Sequence, residues 1–211
     1  MKPIANFSVL LTCVLVAVLL GGDKGSRDHV RGLAPYYSAL GSWENRVFDR
    51  SLKKLHQQER LHERGLEHQI AQILAHYKTG LKKDRRLRVP EWIVEESFKY
   101  GYDPLLLTAL IITESSFYNW ARSNQGALGL MQVRPFTGKA VAREIRMKWK
   151  GKSTLHDPKA NIALGAYYLN KMILRFGDLG LALEAYNHGP SQLGRYLRKG
   201  YRPKRYSQKV F

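Results

Sequence analysis

The stretch DPLLLTALIITESSFYNWARSNQGALGLMQVRP, residues 103–135, places a glutamate at the end of an apolar helix and follows it with a polar loop that contains two glycines. Asp103 and Pro104 are typical of a helix start, because aspartate caps the first turn and proline fits its first position. Residues 105–112 carry no charge, and Glu114 follows Leu107 by seven positions, so it shares the apolar face. The stretch therefore predicts a buried carboxylate at the C-terminal end of a helix.

The predicted position of Glu114 has a chemical consequence. Burial disfavours the charged carboxylate, and the negative end of the helix dipole acts in the same direction. Both effects raise the pKa towards neutrality, which is what a general acid needs at physiological pH. An ion pair with Arg122 or Arg134 is the structural alternative, and spacing alone leaves it open.

The loop after Glu114 has the composition of a sugar-binding cleft wall. Ser123 and Gln132 offer short polar groups, and Gly126 and Gly129 let the backbone approach a ligand closely.

The rest of the chain reads as mainly α. Pro90 is expected to open a helix that Gly101 ends, and residues 118–138 are expected to form a structured loop. Apolar periodicity predicts further helices over 161–176 and 179–186. No alternating strand pattern longer than a few residues is present, and no internal repeat.

The composition along the chain indicates four segments. Residues 1–22 read as a signal peptide or a membrane anchor, because an early lysine precedes an apolar run within 4–20 that is short for a membrane span. Residues 23–42 read as a linker, 43–88 as a charged helical segment and 89–211 as a compact helical domain. The single cysteine, Cys13, excludes a disulfide framework within the chain.

Within the charged segment, apolar spacing predicts a helix over 43–77 that could hold a partner in the cell envelope. Its histidines do not follow the i, i+4 spacing of metal ligands, so we expect solvated side chains and no metal site. They are His56, His62, His68 and His76.

Four ordered blocks between residues 90 and 211 resemble the soluble lytic transglycosylases of the goose-type lysozyme superfamily. The matching positions are Glu114-Ser115, Ala121, Ser123, Gly126-Ala127, Gly129-Leu130-Met131-Gln132 and Pro135; Asn161-Ile162, Gly165 and Tyr168-Leu169; Ala185-Tyr186-Asn187-His188-Gly189-Pro190; and Tyr206-Ser207-Gln208-Lys209-Val210.

The resemblance implies a lysozyme-like helical domain, preceded here by the apolar segment and the long charged helix. It implies cleavage of the β-1,4 bond between N-acetylmuramic acid and N-acetylglucosamine in peptidoglycan, with formation of a 1,6-anhydromuramoyl end. Glu114 matches the family's single catalytic acid/base. The substrate-binding positions that it implies are Ser123, Gln132, Tyr186, Asn187 and Tyr206. No metal and no cofactor is indicated.

Three positions depart from the better-known members. Arg134 stands where they often carry an apolar residue, Arg202 where they often carry glutamate, and Glu184 where alanine is usual. Glu184 could act as a second carboxylate, which leaves a lysozyme-like hydrolase using Glu114 and Glu184 as an alternative.

The charge balance predicts an anionic partner. Lys and Arg number 35 against 17 Asp and Glu, and the formal net charge is +18. Two basic stretches, 134–152 and 195–211, would suit nucleic acid, but the expected export favours peptidoglycan glycan strands at the periplasmic side of the cell envelope, with the protein secreted or anchored in the inner membrane. A peptidoglycan-binding envelope scaffold without essential catalysis is the remaining alternative.

Overall fold

The computed structural model describes residues 42–211. The chain divides into two compact units, Met1–Glu63 and Arg64–Phe211, and the first helix of the described residues, α1 (Ser42–Ala75), crosses this boundary. The predicted signal peptide or anchor and nearly all of the predicted linker lie outside the described residues. The second unit holds residues 103–135.

Helices of 4 to 19 residues, together with the loops that join them, build the second unit. Beyond α1, the described residues form α2 (Lys83–Lys99), α3 (Pro104–Ser115), α4 (Pro135–Glu144), α5 (Lys152–His156), α6 (Pro158–Phe176), α7 (Leu179–His188), α8 (Pro190–Arg198) and α9 (Ser207–Val210). The segment between α3 and α4, residues 116–134, is called the α3–α4 loop. Its only strand-like features among the described residues are isolated antiparallel bridges from Leu128 to Arg122 and to Val133.

The central element is α6, which packs against α2, α4, α5 and α7. Asp157 caps it by accepting a hydrogen bond from the backbone amide of Ala160, and Pro158 occupies its first turn. Most of its apolar face joins the buried faces of the neighbouring helices in the main core, and Met172 belongs to a second, smaller cluster. Fully buried members of this core include Trp92, Ile93, Leu107, Leu110, Ile111, Ile162, Leu164, Leu169 and Leu183.

The mainly α character predicted from the sequence is confirmed for residues 42–211. The predicted helix 43–77 is present as α1, and those predicted over 161–176 and 179–186 are present as α6 and α7. The four histidines of α1 and its C-terminal end are exposed. Within 42–211, no three side chains capable of binding a metal lie together, and no helix is long and apolar enough to cross a membrane.

The prediction that Pro90 opens a helix is wrong. Helix α2 begins at Lys83 and contains Pro90 in its interior. Tertiary contacts hold the turns before the proline, because Arg86 donates hydrogen bonds to the last carbonyl groups of α1 and Arg85 pairs with Asp157 at 2.8 Å. These contacts offset the backbone hydrogen bond that proline cannot make.

The expected loop over 118–138 is also too long, because α4 begins at Pro135. Helices α5, α8 and α9 were not predicted. Helix α2 crosses the expected boundary between residues 88 and 89, and Ile70 and Leu74 of α1 belong to the main core. The fold of the second unit therefore includes residues that composition assigned to the charged segment.

Candidate active site

Glu114 lies in the last turn of α3 and is half-buried. The helix starts at Asp103, whose side chain accepts a hydrogen bond from a backbone amide of the first turn, and ends at Ser116 in the left-handed conformation. Leu110 and Leu107, one and two turns earlier, are fully buried. The predicted geometry, a carboxylate at the end of an apolar helix, is confirmed.

Tyr206, which directly precedes α9, donates a hydrogen bond from its hydroxyl to Oε1 of Glu114. Burial raises the pKa of Glu114 to about 6, although this hydrogen bond and the positive charge of Lys209 both lower it. Burial also raises the pKa of Tyr206, so its hydroxyl stays protonated and remains a donor. A carboxyl group with a pKa near 6 can both give and take a proton near neutral pH.

The ion pair that spacing had left open does not form. Among residues 42–211, neither Arg122 nor Arg134 lies within ion-pair distance of Glu114. The partner of Glu114 is a neutral hydroxyl, so burial is not offset by a cation in direct contact. This arrangement keeps the carboxyl available for proton transfer.

The α3–α4 loop is fastened to the helices on both sides of it. Ser115, next to Glu114, donates a hydrogen bond of 2.7 Å from Oγ to the carbonyl oxygen of Leu130. Asn161 of α6 has no exposed surface; its Oδ1 accepts from the amide of Met131 at 2.7 Å, and its Nδ2 donates to the carbonyl oxygen of Leu128 at 3.0 Å. The loop is thereby held in one conformation beside Glu114.

Ser123 and Gln132, two of the expected substrate-binding residues, shape this loop. The hydroxyl of Ser123 accepts a hydrogen bond from the amide of Ala127 at 3.0 Å. Nε2 of Gln132 donates to the carbonyl oxygens of Ala121 at 3.1 Å and Gly129 at 2.9 Å. Their role in holding sugar subsites stays a prediction.

Tyr186 of α7 connects a third element to the site. Its hydroxyl donates to the carbonyl oxygen of Met131 at 2.8 Å, and its ring lies 5.4 Å from that of Tyr168. Burial, followed by the nearby negative charge of Glu114, raises the pKa of Tyr186. Asn187 is exposed at the end of α7, and none of the hydrogen bonds found in residues 42–211 joins it to this group.

Glu184 occupies an interior position. Its side chain has no exposed surface, and its Oε1 accepts hydrogen bonds from the amides of Tyr206 at 2.9 Å and Ser207 at 2.8 Å, and from the hydroxyl of Ser207 at 3.0 Å. Its Oε2 lies 3.4 Å from Nε2 of His188. A carboxylate without solvent access cannot activate a water in a substrate groove, so the structure argues against Glu184 as a second catalytic carboxylate.

Two contributors were not predicted from sequence. In the sequence, Asn161 is one polar residue within an apolar helical pattern. That pattern alone does not predict that its side-chain amide is buried and holds the α3–α4 loop. Lys209 lies far from Glu114 along the chain, and only the fold brings its charge near the carboxylate. The same is true of the contact between Glu184 and the segment that begins at Tyr206.

Comparison with known proteins places these residues in a wider context. Residues 91–209 match the family model described as Transglycosylase SLT domain. A protein described as Transglycosylase, from Enterobacteria phage PRD1, is 37% identical over 102 residues, which are 48% of this chain and 35% of the phage protein. An endo-type membrane-bound lytic murein transglycosylase A from Klebsiella pneumoniae subsp. pneumoniae is 45% identical over 84 residues, 38% of this chain and 39% of the relative.

Among solved structures, that of an inactive glutamate-to-glutamine mutant of lytic transglycosylase Slt from Pseudomonas aeruginosa superimposes with a TM-score of 0.51. It is 31% identical in sequence, and the match covers 57% of this chain and 22% of that one. The chain thus spans less than half the length of these relatives.

Proposed function

The chain belongs to the Transglycosylase SLT domain family, and from this premise we propose that it is a peptidoglycan lytic transglycosylase with Glu114 as its single general acid/base. The bond cleaved is the β-1,4 linkage between N-acetylmuramic acid and N-acetylglucosamine. The observation that carries the proposal is the half-buried Glu114, with a pKa of about 6, hydrogen-bonded to Tyr206. Relatives whose names specify a lytic murein transglycosylase support the substrate class.

The proposed reaction uses one carboxyl group twice. Protonated Glu114 donates its proton to the glycosidic oxygen, and the bond from that oxygen to C1 of the muramoyl residue breaks. The muramoyl 6-hydroxyl then bonds to C1, and the Glu114 carboxylate accepts the hydroxyl proton. No water is consumed, the product is a 1,6-anhydromuramoyl end, and Glu114 is returned to its protonated form.

The other side chains would support this cycle in defined ways. Tyr206 holds one oxygen of Glu114, and Tyr186 holds the α3–α4 loop through the carbonyl oxygen of Met131. Ser123 and Gln132 fix the loop that would form the wall of the sugar subsites. We also propose that Asn187 contacts the substrate, as its match to the family motif implies.

The location follows from the substrate. A relative is described as membrane-bound, and peptidoglycan lies outside the inner membrane, so we propose that the protein acts on the periplasmic side of the cell envelope. Residues 4–20 would export it or anchor it there, and helix 43–77 would be available to a partner. Fractionation of cells that express the tagged chain would show whether it stays with the membrane or is released.

The test is mass spectrometry of purified peptidoglycan after incubation with the full chain or with Glu114→Gln. We expect anhydromuropeptides from the wild type and none from Glu114→Gln. The matched control is Glu95→Gln, which removes an exposed carboxylate paired with Lys159 and should keep full activity. Reducing-end products would instead indicate a hydrolase, and binding to the wall without any cleavage would indicate a scaffold.

A further inference from the structure

A concave site lies on the α3–α4 loop, and the side chains assigned to catalysis do not line it. It is a cavity of about 540 Å³, and its lining includes Trp120, Arg122, Gln125, Lys152 and His156. Neither Glu114 nor either of its tyrosine neighbours lines it. A cavity of this size suits a sugar unit or a short peptide.

The aromatic wall of the cavity is held rigidly. Trp120 is 51% exposed, yet its Nε1 donates to the carbonyl oxygen of Gly80 at 3.1 Å and its ring lies 5.0 Å from that of His156. The carbonyl oxygen of His156 in turn accepts a hydrogen bond from Asn119 at 3.0 Å. Because the indole N–H is already satisfied, the exposed surface of Trp120 offers a flat apolar face for stacking.

Gly80 is required for this arrangement. Its φ is +68°, and a Cβ added there would lie 2.7 Å from Cδ1 of Trp120. A larger residue at position 80 would therefore displace the indole ring. The wall thus depends on a specific backbone position outside the loop as well as on the tryptophan itself.

The charges around the cavity have one sign. Arg122 and Lys152 are exposed, and in the described part of the chain neither lies within ion-pair distance of a carboxylate. No acidic side chain lines the cavity. Two cations without acidic partners beside a stacking face complement a ligand that joins a carboxylate to a flat, uncharged unit.

We infer that this cavity binds the carboxylate-bearing stem peptide of a peptidoglycan strand, with Arg122 and Lys152 as the anion-binding groups and Trp120 as the stacking face. The inference rests on the proposed function for its choice of polymer. Peptidoglycan joins such peptides to N-acetylated sugars, which supplies both features on one strand. Since the same loop carries Trp120 and Gln132, occupation of the cavity would hold a strand beside the loop that adjoins Glu114.

The test measures binding by titration calorimetry. The full chain is titrated with a soluble N-acetylglucosaminyl-N-acetylmuramyl peptide and with the same compound after amidation of its carboxylates. Neither probe carries a sugar on the muramoyl C1, so the proposed reaction does not consume it. Arg122→Gln combined with Lys152→Gln should weaken binding of the free-carboxylate probe about tenfold and leave the amidated probe unchanged. Trp120→Ala should weaken both probes, and Trp120→Phe should retain most of the affinity if the ring face is what binds.

The matched control is Lys53→Gln combined with Lys54→Gln, which removes the same charge from exposed positions of α1. Equal weakening by both charge pairs would overturn the inference, as would equal weakening of both probes by the Arg122 and Lys152 changes. Displacement of the probe by a DNA oligonucleotide whose own binding needs Arg122 and Lys152 would assign the cavity to nucleic acid instead. If the wild type forms no anhydro ends, the proposed activity is rejected. The binding measurement can still be interpreted, because it does not depend on cleavage.

Discussion

At the scale of single residues, the protonation of Glu114 reflects opposed effects. Burial raises its pKa to about 6, while the Tyr206 hydroxyl and then Lys209 lower it by stabilising the carboxylate. If protonated Glu114 is the reactive form, kcat/KM should fall as the pH rises through about 6. In Tyr206→Phe the pKa should increase, and this limb of the profile should move to higher pH.

The measurement is kcat/KM on soluble glycan fragments at a series of pH values. Tyr196→Phe removes a tyrosine hydroxyl from α8, and it should leave the position of the limb unchanged. A limb that moves to lower pH in Tyr206→Phe would contradict the assigned direction of the hydrogen-bond effect.

Gly129 is a second residue on which the site depends. Its φ is +82°, and a Cβ there would overlap the carbonyl oxygen of Leu155 and Nδ2 of Asn161. Gly129→Ala should lower the free energy of unfolding by at least about 3 kcal/mol, because backbone cannot move aside cheaply. Gly126→Ala is the matched control: its φ is +78° but nothing lies within 4 Å, so it should cost only about 1 to 2 kcal/mol.

Urea denaturation of both variants separates the two causes. If Gly129→Ala and Gly126→Ala lose equal unfolding free energy, the left-handed backbone conformation explains why position 129 requires glycine. The close approach to Asn161 would then contribute little. A larger loss in Gly129→Ala would show that packing of the loop against α6 is the dominant cause.

At the scale of elements, the contact between α7 and α9 holds the tyrosine that reaches Glu114. Oε1 of Glu184 accepts the amides of Tyr206 and Ser207, so Glu184→Ala would leave buried donors unpaired, whereas Glu184→Gln keeps an acceptor oxygen. We expect Glu184→Ala to lower kcat/KM about tenfold or more and to move the pH limb upward, as Tyr206→Phe does. Glu184→Gln should stay close to wild type.

A double variant distinguishes positioning from catalysis. If Glu184 acts through Tyr206, the combination of Glu184→Ala with Tyr206→Phe should be little worse than the more damaging single change. A second catalytic carboxylate would behave differently, because Glu184→Gln would then abolish activity as completely as Glu184→Ala.

The elements also show what sequence can predict here. Helices α3, α6 and α7 were predicted because each has a cap or an apolar period long enough to read, and the lysozyme-like family assignment made from ordered motifs is confirmed. Helices α4, α5, α8 and α9 were missed because they are short and lie in or near basic stretches, although α8 is amphipathic. The helical start before Pro90 depends on contacts of Arg85 and Arg86 with distant residues, which local pattern does not contain.

Some features of the candidate site can likewise be read from local sequence, and others depend on contacts between distant segments. The place of Glu114 on the apolar face of one helix can be read from local sequence, and that place predicts burial and a raised pKa. The hydrogen bond from Tyr206, the charge of Lys209 and the buried role of Glu184 join segments far apart in the chain. Spacing within a helix cannot predict such contacts, and it gave no indication that Glu184 is enclosed.

At the scale of the whole molecule, the net charge of +18 should govern attachment to the substrate polymer. Attraction between exposed charges is screened over about 10 Å at 0.1 M salt and about 3 Å at 1 M salt. Sedimentation of the full chain with purified peptidoglycan should therefore decline steeply between these salt concentrations. Amidation of the wall carboxylates should reduce it at low salt in the same way.

Cleavage of short glycan fragments whose carboxylates have been amidated provides the internal control for this prediction. Proton transfer at Glu114 involves a half-buried group, so salt should change the turnover of such fragments far less than it changes cleavage of whole sacculi. The net positive charge would then act in attachment to the polymer, and Glu114 would act in the proton-transfer step. Equal salt dependence for both substrates would place the charge effect in the catalytic step, and retention on DNA at a salt concentration that releases the wall would favour nucleic acid as the anionic partner.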